Sequence, residues 1–363
     1  MRNSVEVVAR RVEADIRSRG LVSGDRYLTG DEVGRMFNIS SITANRAMQL
    51  LAERGLLVRQ RKAGTFIGEG LELPPTSQRK RVHVVMTSGI WSDDQTSAVQ
   101  YFNQLLCGVL EKLPDSSVQM DVVGQQEINA FIRRIIDSAV SNGDVSGVVL
   151  LRSSPEVQRQ LVEAGIPTVV FGSVFPGVKE LACVDVDQRQ VGRLTAEYLM
   201  RAKHSRVMTL MLSQWFPGDN AFVSGMLGTL QAAAPDVEIG LQSVPVDEDV
   251  CRGVVETAMA REDRPTAVVA RSPWLARIVA EVLQSLGLSI PGDVELIMGN
   301  HHEVEISGRR LPGAFAAESM VECGRKLGIL IKEIGEHRNL NVPRHELVPV
   351  EFCEGNVLQN GSG

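Results

Sequence analysis

Ser41, Asn45 and Gln49 recur four residues apart, so on a helix they share one polar face, with Thr43 and Arg46 beside it. Hydroxyls, side-chain amides and guanidinium groups are what hydrogen-bonds to base edges and phosphates in a DNA groove. Just downstream, Arg61-Lys62-Ala63-Gly64 places two cations and a glycine in a turn between short apolar runs. A second set of groups is spread over the rest of the chain. Each of the three tryptophans, Trp91, Trp215 and Trp274, follows an apolar, strand-like run. Flat aromatic faces suit the C–H faces of a sugar or the plane of a base. The polar residues at equivalent strand ends are Thr87, Ser88, Arg152, Ser153, Ser173, Arg271, Ser272 and Asn300. A few placed donors and acceptors of this kind orient a small ligand. Arg271 has the shape to anchor a carboxylate, a phosphate or a pair of hydroxyls. A solvated helix face, ordinary loop packing and a surface arginine are the plainer alternatives for these groups.

Other chemistry is poorly represented. His301 and His302 are adjacent, and neighbours in a strand or loop are expected to point apart; no third ligand has suitable spacing, so no metal site is expected. G-x-x-x-x-G-K-[ST], G-x-G-x-x-G and G-x-S-x-G do not occur. Phe222-Val223-Ser224-Gly225-Met226 lacks the first glycine of a nucleophile elbow. No nucleophile–base constellation emerges, so neither catalysis nor a cofactor is expected. Cys107, Cys183, Cys251, Cys323 and Cys353 are odd in number and form no C-x-x-C pair, which suits buried free thiols.

These residues need elements to position them. Val5, Val8, Val12 and Ile16 have helical spacing, predicting a helix over about 5–19 that Gly20 and Gly24 end. Thr29-Gly30-Asp31-Glu32 fits a capping box opening a short helix to about Phe37. Ser40 is suited to cap a third helix through Arg54, ended by Gly55, with Ala47, Leu50 and Leu51 facing inward. Leu56–Gln60 and Thr65–Ile67 read as two strands. Helix, helix, turn, helix and a two-stranded wing make a winged helix-turn-helix, whose third helix enters the major groove. Residues 70–81, with two prolines and a basic run, read as a linker.

Residues 82–354 alternate strands (82–87, 118–123, 147–151, 167–171, 207–212, 267–270, 294–298) with helices (98–113, 127–141, 156–164, 188–202, 220–233, 248–261, 274–286, 320–335). Such alternation predicts an α/β body of parallel sheets flanked by helices, and its size predicts two lobes. Ligands in such folds bind beyond the C-terminal strand ends. Residues 355–363 read as a flexible tail.

Length and composition agree. The 363 residues are 44% hydrophobic and 23% charged, ordinary for a folded chain of two or three domains. Residues 1–81 hold 15 basic against 9 acidic residues, whereas the remainder holds 23 against 35. A basic head on an acidic body suggests an anionic partner for the head. No apolar run reaches the roughly 20 residues of a membrane span, and the charged N-terminus lacks a signal-peptide core, so a cytoplasmic protein is expected.

Residues 5–68 resemble the winged-helix domain of the GntR family. The resemblance lies in Val22-Ser23-Gly24-Asp25-Arg26-Tyr27-Leu28, Ile39–Met48, Leu51-Ala52-Glu53-Arg54-Gly55-Leu56-Leu57 and Gly64-Thr65-Phe66-Ile67. Residues 82–354 resemble the effector domain of LacI-type repressors, itself similar to periplasmic sugar-binding proteins. The marks are Gly165-Ile166-Pro167, Val184-Asp185-Val186-Asp187 with Gln190-Val191-Gly192, Leu286–Val294, Glu318-Ser319-Met320 leading to Gly324, and Pro343–Leu347. The combination is similar to arabinose-repressor-type regulators. Members of the head family often carry arginines where this chain has Asp31, Ser41 and Asn45. In the body, Phe222 stands where an arginine is common, Arg271-Ser272 replaces an Asn-Asp pair, and Asn300 replaces an acidic residue.

The expectation is a ligand-responsive regulator that binds a palindromic operator as a homodimer and has no membrane partner. Ser40, Ser41, Thr43, Asn45, Arg46, Arg61, Lys62 and Gly64 are the expected DNA contacts. Ser88, Trp91, Arg152, Ser173, Trp215, Phe222, Arg271, Trp274 and Asn300 are the expected contacts of a small effector, a carbohydrate by resemblance. A solute receptor would leave the basic head unexplained. An enzyme with an appended head would need a constellation that the sequence lacks.

Overall fold

The computed structural model describes residues 5, 8–9, 11–13, 15–16, 19, 21–37, 39–60, 64–68, 80–88, 95–178, 181–336 and 344–357, with the side chains of 88, 95–100 and 356–357 left aside. The chain divides into two compact units, Met1–Arg79 and Lys80–Gly363.

In the first unit, the described helical residues among 5–16 (α1) bury Val8, Val12 and Ile16, as their spacing predicts. Helix α2 (Gly30–Phe37) starts at the expected capping box: the Thr29 amide donates to Glu32 Oε2 at 2.7 Å, and the Glu32 amide to Thr29 Oγ1 at 3.4 Å. Helix α3 (Ser41–Glu53) is capped by Ser40, whose Oγ accepts from the Thr43 amide at 3.2 Å. Ala44, Ala47, Met48 and Leu51 fill the core, while Leu50 is only partly buried. The wing has three strands rather than the expected two. β1 (Arg26–Tyr27) pairs with β3 (Gly64–Ile67), which pairs with β2 (Leu57–Gln60), all antiparallel. Two residues are too short to show a period in sequence, so β1 was illegible there.

In the second unit every predicted strand and helix is present within about three residues of its expected ends. One lobe is a six-stranded parallel sheet in the order β16-β8-β7-β6-β4-β5. Its strands are β4 (Arg81–Ser88), β5 (Ser117–Gly124), β6 (Val145–Leu151), β7 (Thr168–Phe171), β8 (Ala182–Val186) and β16 (His345–Val348). The other lobe has the order β10-β9-β11-β12-β15-β17, with only β17 antiparallel. Its strands are β9 (Arg206–Leu212), β10 (Glu238–Val244), β11 (Ala267–Ala270), β12 (Glu295–Met298), β15 (Gly313–Ala316) and β17 (Val350–Cys353). The chain crosses between lobes three times: from β8 into α7 (Gln188–Arg201), from β15 into α11 (Met320–Glu336), and from β16 into β17. The unpredicted strands include the largely exposed β10 and also β8, five residues buried throughout. Asn356–Val357 is not tail but a strand, β18, paired with β14 (Arg309–Arg310) in a small sheet with β13 (Glu305–Ile306).

Two helix pairs pack through glycine. α7 lies against α8 (Pro217–Ala233), where a Cβ on Gly192 would overlap the Phe222 carbonyl and one on Gly225 the Arg189 carbonyl. α4 (Gln95–Lys112) and α11 repeat the device with Gly108 and Gly324. Alanine gains about 1 kcal/mol of helix propensity over glycine, but backbone overlap forces the helices apart at a cost of about 1–3 kcal/mol or more. Gly225→Ala is therefore expected to lower the denaturation midpoint. Gly253→Ala, in α9 (Glu248–Met259) with open space around its Cβ, is expected to raise it slightly. Equal, positive shifts for both would refute the packing argument.

Candidate functional site

On the head, Ser40, Ser41 and Arg46 are exposed, and Thr43 and Asn45 are half-buried. Thr43 Oγ1 lies 2.8 Å from Ser40 Oγ, so both hydroxyls serve the cap. The Asn45 amide is held on both sides: Nδ2 donates to the Ser41 carbonyl at 2.9 Å, and Oδ1 accepts from Arg59 at 2.7 Å. Gly64 has φ +121°, a conformation suited to glycine at the wing turn. Arg61 and Lys62 lie outside the described residues.

In the second unit, the C-terminal strand ends of both lobes line one cleft of about 840 Å³. Arg152, Ser173, Arg271, Trp274 and Asn300 line it. Trp215 does not; its indole donates to Ser243 Oγ at 3.2 Å. Phe222 is fully buried beneath Arg271, whose guanidinium sits 4.4 Å from the ring centre. Trp91 and the Ser88 side chain lie outside the described residues. Among the described residues, the Tyr, Phe and Trp rings lining the cleft are Tyr101, Phe102, Phe171, Phe216 and the largely buried Trp274.

Arg271, far from being a surface arginine, is buried. It donates to Asp219 Oδ1 through Nε at 3.2 Å and Nη2 at 2.6 Å, to Gln188 Oε1 at 3.3 Å, and to the Gly299 carbonyl. Because Gln188 Oε1 faces Arg271, its Nε2 faces His301 Nδ1, 3.2 Å away. Nδ1 therefore accepts, and Nε2 carries the proton that is donated to the Tyr101 hydroxyl oxygen at 3.0 Å. Tyr101 belongs to α4 of one lobe and His301 to the loop after β12 of the other, so this chain of hydrogen bonds joins the lobes. The expectation that His301 and His302 point apart fails: a tight loop brings their ring centres to 4.4 Å, and Tyr101 packs edge-on to His302 at 4.6 Å. Burial holds His301 well below the usual histidine range and His302 at about 4, so both are neutral at pH 7. Among the described residues, no group of three or more His, Cys, Asp or Glu is placed to hold a metal ion.

Arg152 adopts a left-handed backbone, φ 55°, at the tip of β6, and its guanidinium lies 5.5 Å from the centre of the Phe216 ring in the other lobe. A non-glycine residue there is uncommon and marks a position worth functional attention. Asp185, at the end of β8, is buried and accepts from Ser173 Oγ; burial pushes its carboxyl up to about 6. Asn300 donates to the Arg271 carbonyl at 3.0 Å, while its buried Oδ1 has no partner among the described residues. The cleft therefore presents rings for stacking, cations, a carboxyl group and an unsatisfied amide oxygen, which suits a small polar ligand. Tyr101, Asp185 and Gln188 went unselected in sequence, although Asp185 lies within the Val184–Asp187 mark.

Two compact units, a winged helix-turn-helix and a two-lobed α/β body, define a transcription regulator with a small-molecule-binding effector domain. Residues 94–304 match the periplasmic binding protein domain, and the chain belongs to that family. Residues 4–67 match the gntR family of bacterial regulatory proteins, which makes the first unit a DNA-binding head and places the chain among regulators rather than enzymes. Over 324 residues the chain is 22% identical to the arabinose metabolism transcriptional repressor of Geobacillus stearothermophilus, covering 82% of this chain and 85% of that one. The fold is similar to that of the transcriptional regulator CelR in complex with cellobiose, with a TM-score of 0.62, 18% identity, and coverage of 90% of this chain and 94% of that one. It is also similar to a LacI family regulator from Enterococcus faecium with bound ribose, with a TM-score of 0.58, 16% identity, and coverage of 77% and 98%.

Proposed function

We propose that this regulator is a cytoplasmic, homodimeric repressor whose heads bind the half-sites of a roughly palindromic operator, and that a small carbohydrate in the interlobe cleft releases it. The carrying observation is that both lobes furnish one cleft: Tyr101, Arg152 and Asp185 from one, Asp219, Arg271 and Asn300 from the other. A ligand touching both lobes stabilises the closed body over the open one, and closure re-spaces the paired heads. Coupling of this kind is typically about 1–3 kcal/mol. The relatives with ribose and cellobiose support a carbohydrate, as does the similarity to an arabinose repressor.

Ser40, Ser41, Thr43, Asn45 and Arg46 are the proposed major-groove contacts, and Arg61, Lys62 and Gly64 the proposed wing contacts. Phosphate contacts from this basic head make operator affinity fall steeply with salt. No helix among the described residues is long and apolar enough to cross a membrane. The test is a thermal-shift screen against monosaccharides, sugar acids, oligosaccharides and nucleobases, followed by operator titration with each hit. A sugar at 100 times its Kd stabilises the protein by about 2.7 kcal/mol and weakens operator binding. A hit only among nucleobases overturns the carbohydrate; a tight ligand that leaves operator affinity unchanged overturns the switch.

A further inference from the structure

We infer that Arg59, on the wing strand, is the base-reading residue of the recognition surface, and that Asn45 is its positioning partner. This inference rests on the DNA-binding reading of the head. In β2, Leu57 and Arg59 share the strand face that packs on the core, because side chains alternate along a strand. Leu57 is buried in that core, whereas Arg59, two residues on, passes the core's edge and is exposed. Its guanidinium comes to rest at the middle of α3, with Nη2 2.7 Å from Asn45 Oδ1.

Asn45 is poorly placed to read a base itself. An asparagine that recognises adenine uses both its amide oxygen and its amide nitrogen at once. Here the oxygen takes the Arg59 hydrogen bond, and the nitrogen donates to the Ser41 carbonyl at 2.9 Å. The amide is also pressed against the start of α2, where a Cβ on Gly30 would fall within 2.6 Å of Asn45 Nδ2. Swinging Asn45 outward breaks two hydrogen bonds, whereas Arg59 is already exposed with further N–H groups to offer. An arginine fixed at one end is suited to the paired acceptors on the major-groove edge of guanine. The wing strand thus supplies a cation at a point where α3 itself has only Ser41 and Asn45.

The experiment is selection from a randomised 30-base-pair duplex library using the full chain as wild type, Arg59→Ala, Arg59→Lys and Asn45→Ala. Melting curves of each variant verify that the head is folded. The expected result is that Arg59→Ala loses preference at one base pair per half-site by about 5–150-fold. Asn45→Ala blurs that same position, and Arg59→Lys does not restore it. If Arg59→Ala and Arg59→Lys keep the wild-type preference and lose affinity uniformly, Arg59 touches phosphate and the inference is overturned. It is also overturned if Asn45→Ala erases a different position from Arg59→Ala. A wild-type protein that enriches no sequence, while all variants melt normally, overturns the DNA-binding reading and this inference with it.

Discussion

Replacing Arg271 by methionine is expected to lower the melting temperature by about 6–20 °C. The residue joins four elements at the C-terminal edge of the second lobe. It directly follows β11, pairs with Asp219 in the first turn of α8, reaches Gln188 at the start of α7, and closes on the Gly299 carbonyl after β12. The side chains of the ion pair are only 7% and 19% exposed. Removing one partner of such a pair strands the other charge in a low-dielectric site, which costs about 3–5 kcal/mol. At about 2–4 °C per kcal/mol for a large domain, this gives the stated range. Arg271→Lys keeps the charge but loses the planar fork that serves three acceptors at once, so an intermediate loss is expected. The double change Arg271→Met with Asp219→Leu removes the stranded charge and is expected to recover part of the loss. Circular dichroism melting of the three variants checks this. An unchanged midpoint for Arg271→Met would remove Arg271 as the organiser of the cleft floor. The same substitution breaks the hydrogen-bonded chain through Gln188 and His301 to Tyr101, so effector affinity should fall even below the melting point.

Arg271 also shows where sequence stops being informative. Its place after a strand, and hence at a ligand edge, follows from βα alternation. Its partners do not: Gln188, Asp219 and Gly299 lie 83, 52 and 28 residues away. The head was more legible because its signals are local. The Thr29–Glu32 box, the Ser40 cap and the Val8–Val12–Ile16 stripe each join residues within one or two helical turns, and each sets the structure it predicts. Of the described tryptophans, Trp274 lines the cleft and Trp215 does not, because position after a strand does not say which way a side chain turns. Trp274 turns into the lobe's core while lining the cleft, and Trp215 turns toward Ser243. The His301–His302 pair misleads for a related reason: alternation holds in a strand, but these residues follow one, in a tight loop. Tyr101 carries no local sign of importance in the middle of α4, because its role arises only when the lobes meet.

Asp185→Asn is expected to stabilise the protein above pH 6 and to weaken effector binding. Burial raises the Asp185 carboxyl from 3.8 to about 6, partly offset by the Ser173 hydroxyl, the Val186 amide and Arg271, and reinforced by Asp187. A carboxyl whose folded pKa lies above its unfolded value favours folding fully below about pH 4, and that contribution is lost as pH rises through about 6. The ionised group therefore costs the native state on the order of 3 kcal/mol at pH 7. Asparagine carries no such cost. The difference in melting temperature between variant and wild type should grow from about pH 4 to pH 6 and level off near 6–12 °C. His301 and His302 titrate in the opposite sense, since burial lowers them, and their effect on stability is lost as pH falls. They are present in both proteins, so the difference curve isolates Asp185. A difference that does not vary with pH would show that the carboxyl is not ionising against burial. An ionised acceptor kept at such cost at the end of β8, inside the cleft, makes sense if the effector offers it hydroxyl groups. Hydrogen bonds to a charged group contribute about 1.5–3 kcal/mol, so the asparagine variant should bind a hydroxyl-bearing effector roughly 10–150-fold more weakly. Stability and binding moving in opposite directions on one substitution would separate a binding residue from a merely structural one.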